Sequence, residues 1–254
     1  MLWYETVGKP FPGEDFGHFL GRVAQARVGT PYAETSPATA RETLTIDLDR
    51  FECVSFLESS LAVARCAWRG ELTQGCFVWE LMGLRYRSGL MGDYASRLHY
   101  FVDWLADNEG RWRLEDRTAL LGGEPMGRDF HYMTRHGLST EALKSPVVRR
   151  EMVAVERHLT SRPFVVLPRD RLSETLLSLQ DGDVIAVVGD KPGRLVTHAG
   201  FIIKRTGETP RLLHASSYRR RVVLTTESVT DYVLRRPERI GIIVARPLPP
   251  QTNP

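Results

Sequence analysis

Cys53 stands at the head of an apolar stretch, in Asp49-Arg50-Phe51-Glu52-Cys53-Val54-Ser55-Phe56-Leu57. Two histidines sit sixteen residues apart in strand-like surroundings. One is His198 in Val196-Thr197-His198-Ala199-Gly200-Phe201-Ile202, the other His214 in Leu212-Leu213-His214-Ala215-Ser216-Ser217. A cysteine at a helix start meets unpaired backbone N–H groups and about half a unit of positive charge. Both favour the thiolate, which is the nucleophile, and the same N–H groups can hold the oxyanion of an attacked carbonyl. A nucleophile needs a base, and the base needs a group to orient it. Neighbouring antiparallel strands, joined by a turn at Arg205-Thr206-Gly207-Glu208, can set His198 and His214 side by side on one face. The alternative for each residue is ordinary packing, since cysteines are commonly buried as small hydrophobes. His18, His99, His131, His136 and His158 have weaker contexts, and spacing assigns them no catalytic role.

Cys66 and Cys76 complete an odd set of three cysteines, of which at least one must be unpaired. There is no Cys-x-x-Cys, and the spacings fit no zinc-ligand pair. Both residues are expected to be small buried apolar side chains.

The elements that would position these residues follow from periodicity. Glu14 to Ala26 reads as a helix, with Phe16, Phe19, Leu20 and Val23 on one face and Asp15 as its cap. Leu44, Ile46 and Leu48 alternate as a short strand. A helix runs from Cys53 to Trp68. Tyr94–Asn108 and Thr140–Leu159 are further amphipathic segments. Trp68, Trp79 and Trp104 sit on helical faces and are expected in the core. Phe164–Leu167 is a short apolar run, followed by a helix near Leu172–Leu179 and a turn at Gln180–Asp183. Strands are expected at Val184–Val188, Val196–Lys204, Arg211–Ser216, Val222–Thr225 and Ile240–Arg246, with a helix at Glu227–Arg235. Arg219-Arg220-Arg221 reads as a solvated turn. Helices first and short-looped strands afterwards make an α+β layout with an antiparallel sheet.

Composition narrows the function. The chain has 254 residues, 42% hydrophobic and 26% charged, which is ordinary for a globular protein. A net charge of +3 over this length supplies no basic stripe for nucleic acid. No stretch approaches the roughly 18 apolar residues of a membrane span. The N-terminal MLWYETVGKPFPGEDF shows neither the basic nor the apolar region of a secretory leader.

The order of these motifs carries a resemblance. A Cys at a helix head, then His-Ala-Gly-Phe-Ile-Ile, then Leu-His-Ala-Ser-Ser, resembles the NlpC-type cell-wall cysteine peptidases. The N-acetylmuramoyl-L-alanine amidase-like branch is the more similar. Gly29-Thr30-Pro31-Tyr32, Leu48–Glu58, Ser96–Trp104, Gly182-Asp183-Val184-Ile185 and His214-Ala215-Ser216-Ser217 all fit that branch, over about residues 20 to 246.

The resemblance implies a single domain over 1–254 with a papain-like core: a mainly helical part at 1–160, a mainly strand part at 161–248, and a flexible tail at 249–254. It implies Cys53 as nucleophile, His198 as general base and His214 as the residue that orients it, with no metal or organic cofactor. Tyr32, Arg97, His99, Tyr100 and Ser216 are the expected substrate contacts. Arg97 and Tyr100 would share a helical face at i and i+3, with Arg97 suited to a muropeptide carboxylate. The bland alternative is a solvated Arg97 and a packed His99. One departure is Glu52, where the family usually has Asp; Glu is the poorer helix cap. The implied substrate is peptidoglycan or a muropeptide, met outside the cytoplasm, and the implied bond joins N-acetylmuramic acid to L-alanine. The γ-D-glutamyl–diaminopimelate bond, a non-catalytic wall-binding module of the same fold, and lipid acyl transfer are the alternatives. The last is disfavoured by chain order, because Cys53 precedes His198.

Overall fold

The computed structural model describes residues 3–33, 41–136, 140–193 and 195–251; the last three residues of the expected tail, 252–254, lie outside them. In chain order the helices are α1 (Trp3–Val7), α2 (Phe16–Gln25), α3 (Cys53–Trp68), α4 (Gln74–Arg85), α5 (Phe101–Gly110), α6 (Tyr132–His136), α7 (Pro146–Thr160), α8 (Leu172–Thr175) and α9 (Val229–Leu234). The strands are β1 (Leu114–Asp116), β2 (Glu124–Met126), β3 (Phe164–Pro168), β4 (Val184–Gly189), β5 (Val196–Ile203), β6 (Arg211–Ser216), β7 (Arg221–Ser228) and β8 (Arg239–Pro247). They form one sheet in the order β2-β3-β8-β4-β5-β6-β7, with β1 also on β8. Every pairing between these strands is antiparallel. The fold is therefore α+β.

Strand alternation divides the core. Ala186, Val188, Ala199, Phe201, Leu213 and Ala215 face α2 and α3. Ile185, Ile202, Leu212 and Val244 point the other way, to Leu172, Val229 and Val233 of α8 and α9. A period of two side chains per face produces this split. α3 lies on the first face, where Phe56 meets Phe201 with ring centroids 5.7 Å apart. Each fully buried Leu or Phe here contributes about 1.5–3 kcal/mol.

α3 is buried nearly all round, including its charged residues Glu58 and Arg65. Buried charges require partners, and α4 supplies them. Arg85 Nε donates to Glu58 at 2.8 Å, and Arg65 Nε to the fully buried Glu80 at 3.0 Å. Arg69 and Arg113 also pair with Glu80, so one carboxylate serves three guanidinium groups. A disulfide, Cys66–Cys76, ties the end of α3 to the start of α4.

Several sequence expectations are corrected here. Cys66 and Cys76 are cross-linked, not separate apolar fillers; ten residues of separation brought back by the α3–α4 turn set their Cα atoms 6.0 Å apart, within disulfide reach. Leu44–Leu48 is irregular, not a strand. Its alternation reflects packing of Leu44 and Leu48 on the core, while its carbonyls at Thr45 and Leu48 accept from Arg85 and Arg27. Tyr94–Asn108 is broken. A 3₁₀ turn at Tyr94–Ser96 ends in extended Arg97, and α5 begins at Phe101. The bonds holding the break are an Arg97–Tyr86 bridge and Leu98 N–H to the Arg85 carbonyl. Arg97 and Tyr100 therefore share no helical turn. Trp104 is fully buried and Trp68 packs on the core, but Trp79 is 60% exposed. Arg69 and Arg113 lie over the Trp79 ring, with guanidinium carbons 5.6 and 5.5 Å from its centroid.

Removing the Glu80 charge leaves three arginines around a neutral group. Glu80→Gln is expected to cost about 3–5 kcal/mol. Cys66→Ala with Cys76→Ala is expected to cost about 2–3 kcal/mol for a loop of this length. Urea unfolding at neutral pH checks both; midpoints equal to the parent's would sink this account of the α3–α4 pair.

Candidate functional site

Glu52 does cap α3. Its carboxylate accepts from Val54 N–H at 2.9 Å and Ser55 N–H at 2.5 Å, while Ser55 Oγ accepts from Glu52 N–H at 3.1 Å. This reciprocal pair reverses the residue order of the usual capping box. It engages two of the N–H groups expected to form an oxyanion hole, leaving that of Cys53 as the candidate donor. The capped helix start is also braced from upstream. Phe51 N–H donates to the Pro31 carbonyl and Ala33 N–H to that of Phe51. Tyr32 N–H donates to the Arg220 carbonyl and Val222 N–H to that of Thr30. Residues 29–33 thus strap the segment before Cys53 to the head of β7.

The sheet contributes an opening. β5 and β6 pair only at Phe201–Leu213, Ile202–Leu212 and Ile203–Arg211. Beyond that, residues 198–200 and 214–216 part, although β6 stays paired to β7 through Ser216. Ile202 exchanges backbone bonds on the β4 side, with Asp183 and Gly182, so alternation turns the Ala199 N–H toward the opening. There it faces the Cys53 thiol and favours its ionisation. Gly200 is required at this place: a Cβ would lie 2.7 Å from the Leu213 carbonyl oxygen and 2.9 Å from the Cβ of His214.

His198 and His214 meet across the opening. His198 Nε2 lies 2.5 Å from His214 Nδ1, with ring centroids 4.7 Å apart at 83°. Continuing the register would set His198 opposite Ser216 and Gly200 opposite His214. The two imidazoles are therefore diagonal neighbours on one face, not directly opposed, and diagonal positions remain within reach of rings. Both face the α8–α9 side of the sheet, whereas the body of α3 covers the other side. The parting of the strands leaves the Ala199 backbone, beside His198, open to the start of α3.

Sequence reasoning missed Tyr232 and Arg239. The Tyr232 ring lies 5.3 Å from His214 and 6.3 Å from His198, and the Arg239 guanidinium sits 4.0 Å over it. Val229, Tyr232 and Val233 share a helical face of α9, a spacing that would have pointed Tyr232 at the sheet.

Burial dominates the electrostatics. It pushes the Cys53 thiol above its ordinary range, and the Glu52 charge adds to this; the N–H groups of Ala199 and Val54 oppose both. Burial lowers His198 to about 3, helped by His214 and Arg239. Burial and Arg239 lower His214 to about 4, against the pull of Glu227. At neutral pH the resting state is a thiol beside neutral imidazoles. Desolvation and Glu52 thus favour the thiol, against the N–H groups that favour the thiolate expected at the helix start.

The remaining expected residues divide. Tyr32 lies at the site: burial raises its hydroxyl, and the charges of Cys53 and Glu52 act in the same direction. Ser216 is buried at the end of β6, and its Oγ accepts from Arg219 N–H at 3.1 Å. Arg97 faces Glu42 at 3.7 Å. His99 stacks on Tyr94 and bonds its carbonyl through Nε2 at 2.7 Å; burial lowers it to about 4. Tyr100 donates its hydroxyl to Glu156 at 2.6 Å. Among the described residues, the partners of Arg97, His99 and Tyr100 named here all lie within the helical half. Among the described residues, no three His, Cys, Asp or Glu side chains gather as a set of metal ligands.

A protein of Bacteroides fragilis provisionally named a xylanase superposes with a TM-score of 0.81 at 33% identity, covering 88% of this chain and 98% of its own. An N-acetylmuramoyl-L-alanine amidase of Bacteroides uniformis superposes with a TM-score of 0.85 at 27% identity, covering 92% of this chain and 99% of its own. A Legionella pneumophila protein of the DUF1460 family shares the fold, with a TM-score of 0.71 at 20% identity over 97% of this chain and 92% of its own. A comparison with curated protein sequences finds no match. The model of the N-acetylmuramoyl-L-alanine amidase-like family matches residues 22–242, and the chain belongs to that family.

Proposed function

We propose that the chain hydrolyses the N-acetylmuramoyl-L-alanine amide of bacterial peptidoglycan by cysteine chemistry in one papain-like domain. What supports this reading is that the backbone of Ala199, next to His198, acts on Cys53, and that Tyr232 lies by the paired imidazoles and feels the Cys53 charge. His198 Nε2 is engaged by His214, so Nδ1 is the nitrogen left to take the thiol proton. As Sγ attacks the carbonyl carbon, the proton passes to His198 and the oxyanion develops beside the Cys53 N–H. His198 then returns the proton to the leaving alanine nitrogen and the C–N bond breaks. Water attacks the thioester with His198 again as base, releasing the carboxylate and restoring the thiol. His214 holds the ring and tautomer of His198 throughout.

The xylanase name of one relative suggests another chemistry. Glycosidases need two carboxylates astride the bond, whereas Glu52 here caps α3 and Glu227 pairs with Arg235 at 3.0 Å. The Cys66–Cys76 disulfide favours a location outside the cytoplasm, where such bonds persist.

Digestion of purified peptidoglycan, with mass spectrometry of the new termini, tests the bond; release of intact stem peptides with a free L-alanine amine is expected. Cys53→Ala abolishes this. His198→Ala costs at least about 100-fold, the usual share of general-base catalysis. His214→Ala costs less, and His214→Asn restores part of the rate. A dead His214→Ala beside a nearly active His198→Ala would reverse the roles. Excess EDTA leaves the rate unchanged; loss of activity restored by zinc would give the histidines to a metal.

The depressed histidines predict the pH profile. Protonation disables the base, and a pKa lowered toward 3–4 keeps it neutral well into acid. The rate on a soluble muropeptide should hold from neutral pH down to about pH 5, since the unperturbed histidine limb near 6.5 is displaced downward. Arg239→Gln removes the facing positive charge and should move the acid limb upward. A limb near 6.5 in the parent would contradict this electrostatic picture.

A further inference from the structure

The face of α7 away from the core carries Arg149, Arg150 and Arg157, all exposed. Helical geometry places Arg157 between the other two in projection, so they form one stripe about 12 Å long at 1.5 Å per residue. With Lys144, Pro146, Val153 and Ala154 they line an open groove of about 840 Å³. Among the described residues none of the three arginines has a salt bridge, whereas Lys144 pairs with Glu141 at 2.6 Å. Glu151 lies beside both Asp93, which raises its carboxyl, and Arg150, which lowers it, while Glu156 is buried against Tyr100 and Thr134. The stripe thus sets three guanidinium groups on one helix face, with Glu151 the acid nearest Arg150.

We propose that this groove binds a peptide strand of uncleaved peptidoglycan, with the arginines on its carboxylates and the strip of Pro146, Val153 and Ala154 against its alanine side chains. This deepens the proposed function by adding a retention site apart from Cys53. A single carboxylate on an exposed arginine gains little. A strand presenting several in succession gains by multivalency, and guanidinium suits carboxylate in paired geometry. The apolar strip between the cations favours a peptide over a polyanion with no apolar side groups.

Co-sedimentation with insoluble peptidoglycan tests this, using Cys53→Ala so that binding is read without cleavage. The comparison is with the same protein also carrying Arg149→Gln, Arg150→Gln and Arg157→Gln. The arginine form should bind at least about tenfold more tightly, be released by salt, and lose this advantage on peptidoglycan whose carboxyls have been amidated. The triple substitution in the Cys53 protein should leave turnover of a small soluble muropeptide unchanged. Equal sedimentation of both forms, or undiminished binding to amidated wall, would overturn the proposal. So would preference of the arginine form for poly(glycerol phosphate) or phosphatidylglycerol vesicles over wall. If soluble muropeptide is not cleaved at all, the hydrolytic reading fails, and the binding comparison still decides the groove.

Discussion

The parting of β5 from β6 is the constraint on which the site depends. A continuous ladder would satisfy the Ala199 N–H with β6 and close the sheet between the two histidines and α3. Because pairing stops at Phe201–Leu213, that N–H turns to the Cys53 thiol, one residue along β5 from His198. Gly200 permits the close crossing at the fork, where no larger residue fits beside His214. β6 loses nothing by it, since its outer edge stays laddered to β7.

What holds α3 at that fork is a balance between apolar burial and charges that burial makes costly. Glu58 and Arg65 lie on a helix with little access to water, and each is stable there only through a partner on α4. Glu80 gathers three arginines from α3, the following turn and the segment before β1. At the other end Glu52 binds the helix start, and residues 29–33 tie the preceding backbone to β7. The same burial keeps the thiol and the imidazoles uncharged. The rigidity that places them and the electrostatics that govern their protons thus have one origin.

Local signals in the sequence located much of this and tertiary ones did not. The bounds of α3, Cys53 to Trp68, were legible because apolar spacing and a capping carboxylate act within one helix. The strands of His198 and His214 were legible from β-branched runs and turns, and their shared face from pleat parity. Their diagonal register was not, because it follows from where the ladder ends. The break at Arg97–Tyr100 is set by bonds to Tyr86 and Arg85, more than ten residues earlier. Trp79 reads as core until Arg69 and Arg113 cover its ring. Pairing of Cys66 with Cys76 needs the return of α4, which has weak periodicity and two glycines, Gly75 and Gly83. Tyr232 joins the histidines only because α9 folds back onto their face of the sheet.

The length of α3 also bears on which of three thiols can pair. Oxidation could join Cys53 to Cys66, Cys53 to Cys76, or Cys66 to Cys76. Once the helix forms, Cys53 and Cys66 are thirteen residues apart along it, about 20 Å at 1.5 Å per residue, far beyond the reach of a disulfide. Cys76, returning beside the far end of the helix, meets Cys66 alone. In the folded chain the helix thus acts as a ruler, its length holding the free Cys53 thiol away from the cross-linked pair.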